Sequence, residues 1–169
     1  MTSSPDIRAI VLTDDGIFPN NSRVALTRYP RIFRSLVDPK KIEAFLVSNG
    51  WHPLWRYGIY PYHHYHTTAH EFLGCFSGSA RVIFGGDKGQ ALDLRAGDGV
   101  MVPAGVAHKC LSANNFAVVG AYPNGQSPDM NYGEARERPK ADLAIDALGL
   151  PPNDPVTGKA WPDFPGRIS

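Results

Sequence analysis

The chain has 169 residues, a net charge of +1, 43% hydrophobic and 20% charged residues. That is enough for one domain with a core of useful size, and the even scatter of Lys and Arg gives no electrostatic case for nucleic acid or a membrane surface. Apolar runs such as AIVL and FAVVGAY are far too short to span a bilayer. The start MTSSPDIRAI lacks a basic segment followed by a long apolar core, so no secretory signal is expected. Two cysteines, Cys75 and Cys110, make no disulfide framework, and a reducing, cytoplasmic location is the expectation.

In chain order, residues 7–29 carry two strand-like runs, IRAIVLT and SRVALTRY, around the turn-rich DDGIFPNN. DPKKIEAFLVSNG predicts a helix capped by Asp38, with Pro39 in its first turn and Gly50 at its end. Ile42, Phe45 and Leu46 share one stripe of it, suited to packing on a flat surface. From Trp55 to Tyr122 short runs alternate with Gly, Pro and Asn, predicting strands over 55–66, 70–77, 79–85, 90–95, 99–103, 107–113 and 116–122. This spacing points to an all-β sandwich or barrel with minor helices. After Pro123 the strands stop: an extended loop, a short helix over KADLAIDALGL, and a Pro/Gly-rich tail pinned by Trp161 and Phe164. The organisation expected is one domain in three parts: an N-terminal part (1–54) packing on the barrel, a barrel core (55–122) and a C-terminal part (123–169).

Four of the six histidines fall between His63 and His70, in YPYHHYHTTAHEF. In an extended segment alternate residues share a face, so His64 and His66 point together and His63 and Tyr65 point away. A turn at TTA lets Glu71 face back toward them. Two imidazoles and a carboxylate are most of a metal site, and His108, after the Pro/Gly turn of VPAGVAH, is the candidate to complete it. A one-residue slip would present His70 instead of Glu71.

Two spaced motifs run through these residues. Gly58, His64, His66, Glu71 and Gly78 match the first motif of the cupin superfamily, and Gly97, Pro103, Gly105 and His108 match most of the second, with Ser112 where an Asn usually stands. The stretches YGIYPYHHYHTTAHEFLG, FGGDKGQALDLRAGD, VPAGVAHK and VVGAYPNGQ resemble more particularly the small single-domain cupins of the YjlB type. The resemblance implies a single-domain cupin (RmlC-like) jelly-roll β-barrel. It implies that His64, His66, Glu71 and His108 hold one divalent transition metal inside it, of the Fe, Mn, Ni, Co or Zn kind. It also implies pairing into a homodimer, with residues 7–29 the candidate for strand exchange because edge strands need covering.

Around this site His70 is a candidate supporting group. Glu71, Tyr62 and Tyr122 are candidate catalytic groups. Arg81, Tyr57, Cys75 and Cys110 are candidates to bind substrate. Loop 123–135 is either a lid over the barrel mouth or a surface connection. The function expected is a metal-dependent enzyme acting on a small organic molecule by oxygenase, isomerase or decarboxylase chemistry. The alternatives are a non-catalytic binding module for a metal or small ligand, and, ranked last, a metal-free sugar epimerase, which would not need four ligands.

Overall fold

The computed structural model describes residues 7–34 and 37–161. Seven strands, β1 (Arg8–Leu12), β2 (Asn21–Tyr29), β3 (Trp51–Tyr57), β4 (Glu71–Phe84), β5 (Gln90–Arg95), β6 (Gly99–Val102) and β7 (His108–Pro123), are joined by two helices, α1 (Pro39–Ser48) and α2 (Lys140–Leu148). The strands pair antiparallel in the order β1-β2-β6-β4-β7-β3, with β5 alongside β4. The result is an all-β, jelly-roll-like fold.

Side-chain alternation divides the core. On β4, Phe72 joins Tyr29, Phe33, Trp51 and the α1 residues Ile42 and Leu46 on one face. Leu73 and Cys75 join Leu26, Val82 and Val118 on the other. β6 follows the same rule, with Met101 on the α1 side and Val100 and Val102 on the inner side. Full burial of a side chain such as Phe72 contributes about 1.5–3 kcal/mol. Glu71 has the parity of Leu73, so the strand that anchors the core also aims this carboxylate inward.

Helix α1 forms as its sequence predicts. The Asp38 side chain accepts the Lys40 amide, Pro39 occupies the first turn, and Ile42 and Leu46 are buried. Gly50, at φ 81°, turns the chain directly into β3. That strand therefore runs from Trp51 to Tyr57 and not over 55–66, which places His52 in a strand and leaves His64 and His66 on irregular backbone beyond it. Pro53, which has no N–H to donate, sits at a register shift of this edge strand.

The expected strand pairs 70–77/79–85 and 107–113/116–122 are each one continuous strand. Gly78, at φ 61°, and Asn115, at φ 49°, bend the two strands together. A Cβ on Gly78 would overlap the Asn114 and Asn115 carbonyls, so the glycine marks a bulge instead of a turn. In the C-terminal part Tyr29 donates to Asp154 at 2.7 Å and Trp161 is buried in the α1-side cluster. Phe164, expected to pin the tail, lies outside the described residues. No helix among the described residues is long and apolar enough to cross a membrane.

Candidate metal centre

His64 and His108 are held side by side by reciprocal backbone hydrogen bonds of 3.2 and 3.0 Å, which brings their rings to 4.0 Å between centroids. The His66 carbonyl accepts the Gly105 amide at 2.7 Å, so the whole 64–66 segment lies along the turn that precedes β7. The His66 ring stands 5.8 Å from His64 and 5.7 Å from His108. All three histidines are buried, and their candidate ligand nitrogens lie within 4.8 Å of one another.

Each of the three rings is oriented by a backbone carbonyl. Nδ1 of His64 faces the Tyr62 carbonyl at 3.1 Å, Nδ1 of His66 the Asp129 carbonyl at 2.5 Å, and Nδ1 of His108 the Val106 carbonyl at 3.0 Å. A carbonyl only accepts, so each Nδ1 carries the proton and donates it. The Nε2 lone pairs are thereby directed into the site, the arrangement a metal needs.

Glu71 stands beside two of the three. Its Oε2 lies 3.1 Å from His108 Nε2 and 3.5 Å from His66 Nε2, yet it is buried without an aligned hydrogen-bond donor. Its Oε1 is satisfied: the Tyr122 hydroxyl donates to it at 2.8 Å and itself accepts Trp55 Nε1–H at 2.7 Å. The Trp55 indole rests against Gly120, where a Cβ would overlap the ring. Three nitrogen lone pairs and one orphaned carboxylate oxygen converging in a buried site fit a divalent cation.

The electrostatics agree. Burial opposes charge on Glu71, but His66 and His108 beside it hold its carboxyl well below the usual carboxylate range. Burial likewise opposes the His66 cation, but the Glu71 carboxylate and Asp129 together outweigh it, raising that imidazole above its ordinary value. Burial, aided by neighbouring His108, pushes His64 down to about 3. Burial first and the Glu71 charge second push the Tyr122 phenol up, so it stays a neutral donor.

Residues 126–131 are stapled across this site. The Asp129 carboxylate accepts from the Thr67 and Thr68 amides, the Thr67 hydroxyl and the Asn131 side chain. Tyr65 and Asn131 exchange backbone hydrogen bonds. Pro128, Asp129 and Met130 form one wall of a cavity of about 360 Å³ that opens from the histidines. Glu71, Tyr122 and Tyr57 also line it, Tyr57 being largely exposed.

Other expected site residues fall elsewhere. His70, just before β4, accepts the Ala104 amide on Nδ1 and donates from Nε2 to the Gly149 carbonyl, each at 3.0 Å. Arg81 sits directly across from Asp93 on the β4–β5 pair and bonds it at 2.9 Å on the exposed surface. Tyr62 gives its carbonyl to His64 but its ring stacks on Tyr60, outside the cavity. Cys75 has the inward parity of Glu71 but lies deeper, packed in the apolar core, and burial pushes its thiol up. Cys110 does not line the cavity; its thiol donates to the Ser112 carbonyl. His63 pairs with Asp87 at 2.7 Å.

Fold and pocket together define an all-β, jelly-roll-like protein with three buried histidines positioned to hold a metal. No family model matches the chain. It is 42% identical over 150 residues to the uncharacterized protein YjlB of Bacillus subtilis (strain 168), covering 88% of this chain and 89% of that one. The chain belongs to the YjlB family. Among solved structures it shows a distant likeness to the DMSP lyase DddQ from Ruegeria pomeroyi DSS-3, at 18% identity and a TM-score of 0.36, over 76% of this chain and 52% of that one. That likeness is too slight to bear on function.

Proposed function

We propose that the chain is a metal-binding cupin in which His64, His66, Glu71 and His108 hold one divalent transition metal, and that it acts as an enzyme on a small organic molecule in the adjoining cavity. One observation carries this reading: three preoriented, buried histidines and the Glu71 carboxylate, from three separate segments, meet at the floor of a cavity of about 360 Å³. A purely structural metal site would be closed by its own ligands, whereas this one faces space for a ligand. A three-nitrogen, one-oxygen set suits Fe, Mn, Ni, Co or Zn, and a metal so held would supply Lewis-acid polarisation of a substrate oxygen.

The chain's own groups define the rest. Glu71 and Tyr122 are the pair able to hold or pass a proton beside the substrate, since the Tyr122 hydroxyl bridges Trp55 and Glu71 at the cavity wall. Pro128, Asp129 and Met130 of the strap line the same cavity. Oxygenation, isomerisation and decarboxylation are the reaction classes such an arrangement serves. The exposed Val11 on edge strand β1 supports pairing of two copies through the N-terminal strands, which light scattering measures.

The test is a thermal unfolding series on protein stripped with chelator and reloaded with each metal in turn. At about a hundredfold excess over its dissociation constant, a bound metal should raise Tm by roughly 5–10 °C. No shift with any of these metals would contradict the reading. A shift accompanied by failure of every small-molecule ligand to bind would favour a metal-storage module over an enzyme.

A further inference from the structure

The composition of the cavity wall narrows what it can hold. Trp55, Tyr57, Ile59, Tyr60, Leu73 and Met130 line it, and no Lys or Arg does among the described residues. Arg56, next to Trp55 in the chain, is engaged with Glu43. The polar groups at the wall are largely committed too. The Tyr122 hydroxyl is bonded to Trp55 and Glu71, and the Asp129 carboxylate to Thr67, Thr68 and Asn131.

Charge balance follows from the same groups. With the three imidazoles neutral through their Nδ1 bonds, a divalent ion and the Glu71 carboxylate leave one net positive charge in the ligand set, and the Asp129 carboxylate in the wall offsets it in part. A neutral ligand, or one with a single negative charge on its metal-directed oxygen, is accommodated. A second negative charge would enter an apolar pocket without a partner, at high desolvation cost.

Shape adds to this. The Tyr60 ring stands edge-on to His64 at 5.2 Å, steadied by stacking on Tyr62 at 5.0 Å, and the Trp55 indole is fixed by its bond to Tyr122. Rigid aromatic surfaces thus flank a single polar pole. The volume, about 360 Å³, sits at the low end of the roughly 300–1,000 Å³ of small-molecule sites.

Building on the metal reading above, we infer that the cavity takes a small, flat, largely apolar molecule, aromatic or conjugated, neutral or singly negative, with an oxygen donor directed at the histidines. Dicarboxylates and phosphate esters are rejected by the same walls.

The experiment titrates 4-nitrophenol, which can carry only one negative charge and whose absorbance changes when its oxygen ligates a metal, into metal-loaded protein, with malonate and glucose 6-phosphate as competitors. The metal content of every sample is measured alongside. The expected result is binding of the nitrophenol at least about tenfold tighter than either dianion. Tyr60→Ala should weaken it by roughly threefold to tenfold, metal content unchanged. A loaded protein that binds malonate or the sugar phosphate as tightly overturns this inference alone. A protein that retains no metal and binds none of the probes overturns the metal reading with it.

Discussion

His70 is neutral by construction. It accepts a hydrogen bond from Ala104 and donates one to Gly149, so a second proton would set two donors face to face. Burial accordingly lowers its pKa from 6.5 to about 4. Between those values the unfolded chain binds the proton and the folded chain does not, so stability falls as pH drops from 6.5 toward 4. The full effect is about 3 kcal/mol. Urea titrations of metal-free protein near pH 7 and pH 4.5 should show most of that loss, and His70→Gln should reduce it; an equal loss in both proteins would contradict the assignment.

Tyr122 makes a second claim at this scale. Tyr122→Phe removes the donor to Glu71 Oε1 and should weaken metal binding by about 10- to 100-fold in chelator competition. Unchanged affinity would mean that Glu71 does not depend on the tyrosine. The four ligand candidates were legible in the sequence because two spaced patterns and strand parity pick them out. Asp129 was not, since it orients His66 through a backbone carbonyl from 63 positions away, and every residue carries a carbonyl.

The elements that matter most are the strap at 126–131 and the two long strands. The strap is held by the Asp129 side chain, whose hydrogen bonds to Thr67 and Thr68 fix the very segment that carries His66. Asp129→Ala should cost about 2 kcal/mol in denaturant unfolding and lower metal affinity, although the carbonyl that orients His66 is retained. A full loss of stability with no change in metal affinity would show that the strap braces the fold without tuning the site. Helix α1 was readable to its cap because Asp38, Pro39 and the Ile42/Leu46 spacing are local signals. The long strands were not. Gly78 breaks a local pattern, and only the paired β7 strand, with Asn115 across from it, reveals that the break is a bulge. The strand read over 55–66 failed for a related reason. His64 and His66 share a face without a strand, because one bridge to His108 and the Gly105 hydrogen bond hold the segment extended.

At the scale of the molecule, the site ties together parts of the chain far apart in sequence: the 64–66 segment, the start of β4, the start of β7 and, through Tyr122 and Asp129, the end of β7 and the strap. A cation at that junction would cross-link the barrel, and the orphaned Glu71 oxygen is the clearest sign that one belongs there. The measurement that tests this most directly is elemental analysis of protein purified without a nickel column, beside a His64→Ala/His108→Ala double variant. The account predicts about one equivalent of a divalent transition metal in the wild type and its loss in the variant. An absence of metal from the wild type, persisting after incubation with each candidate ion, would contradict it.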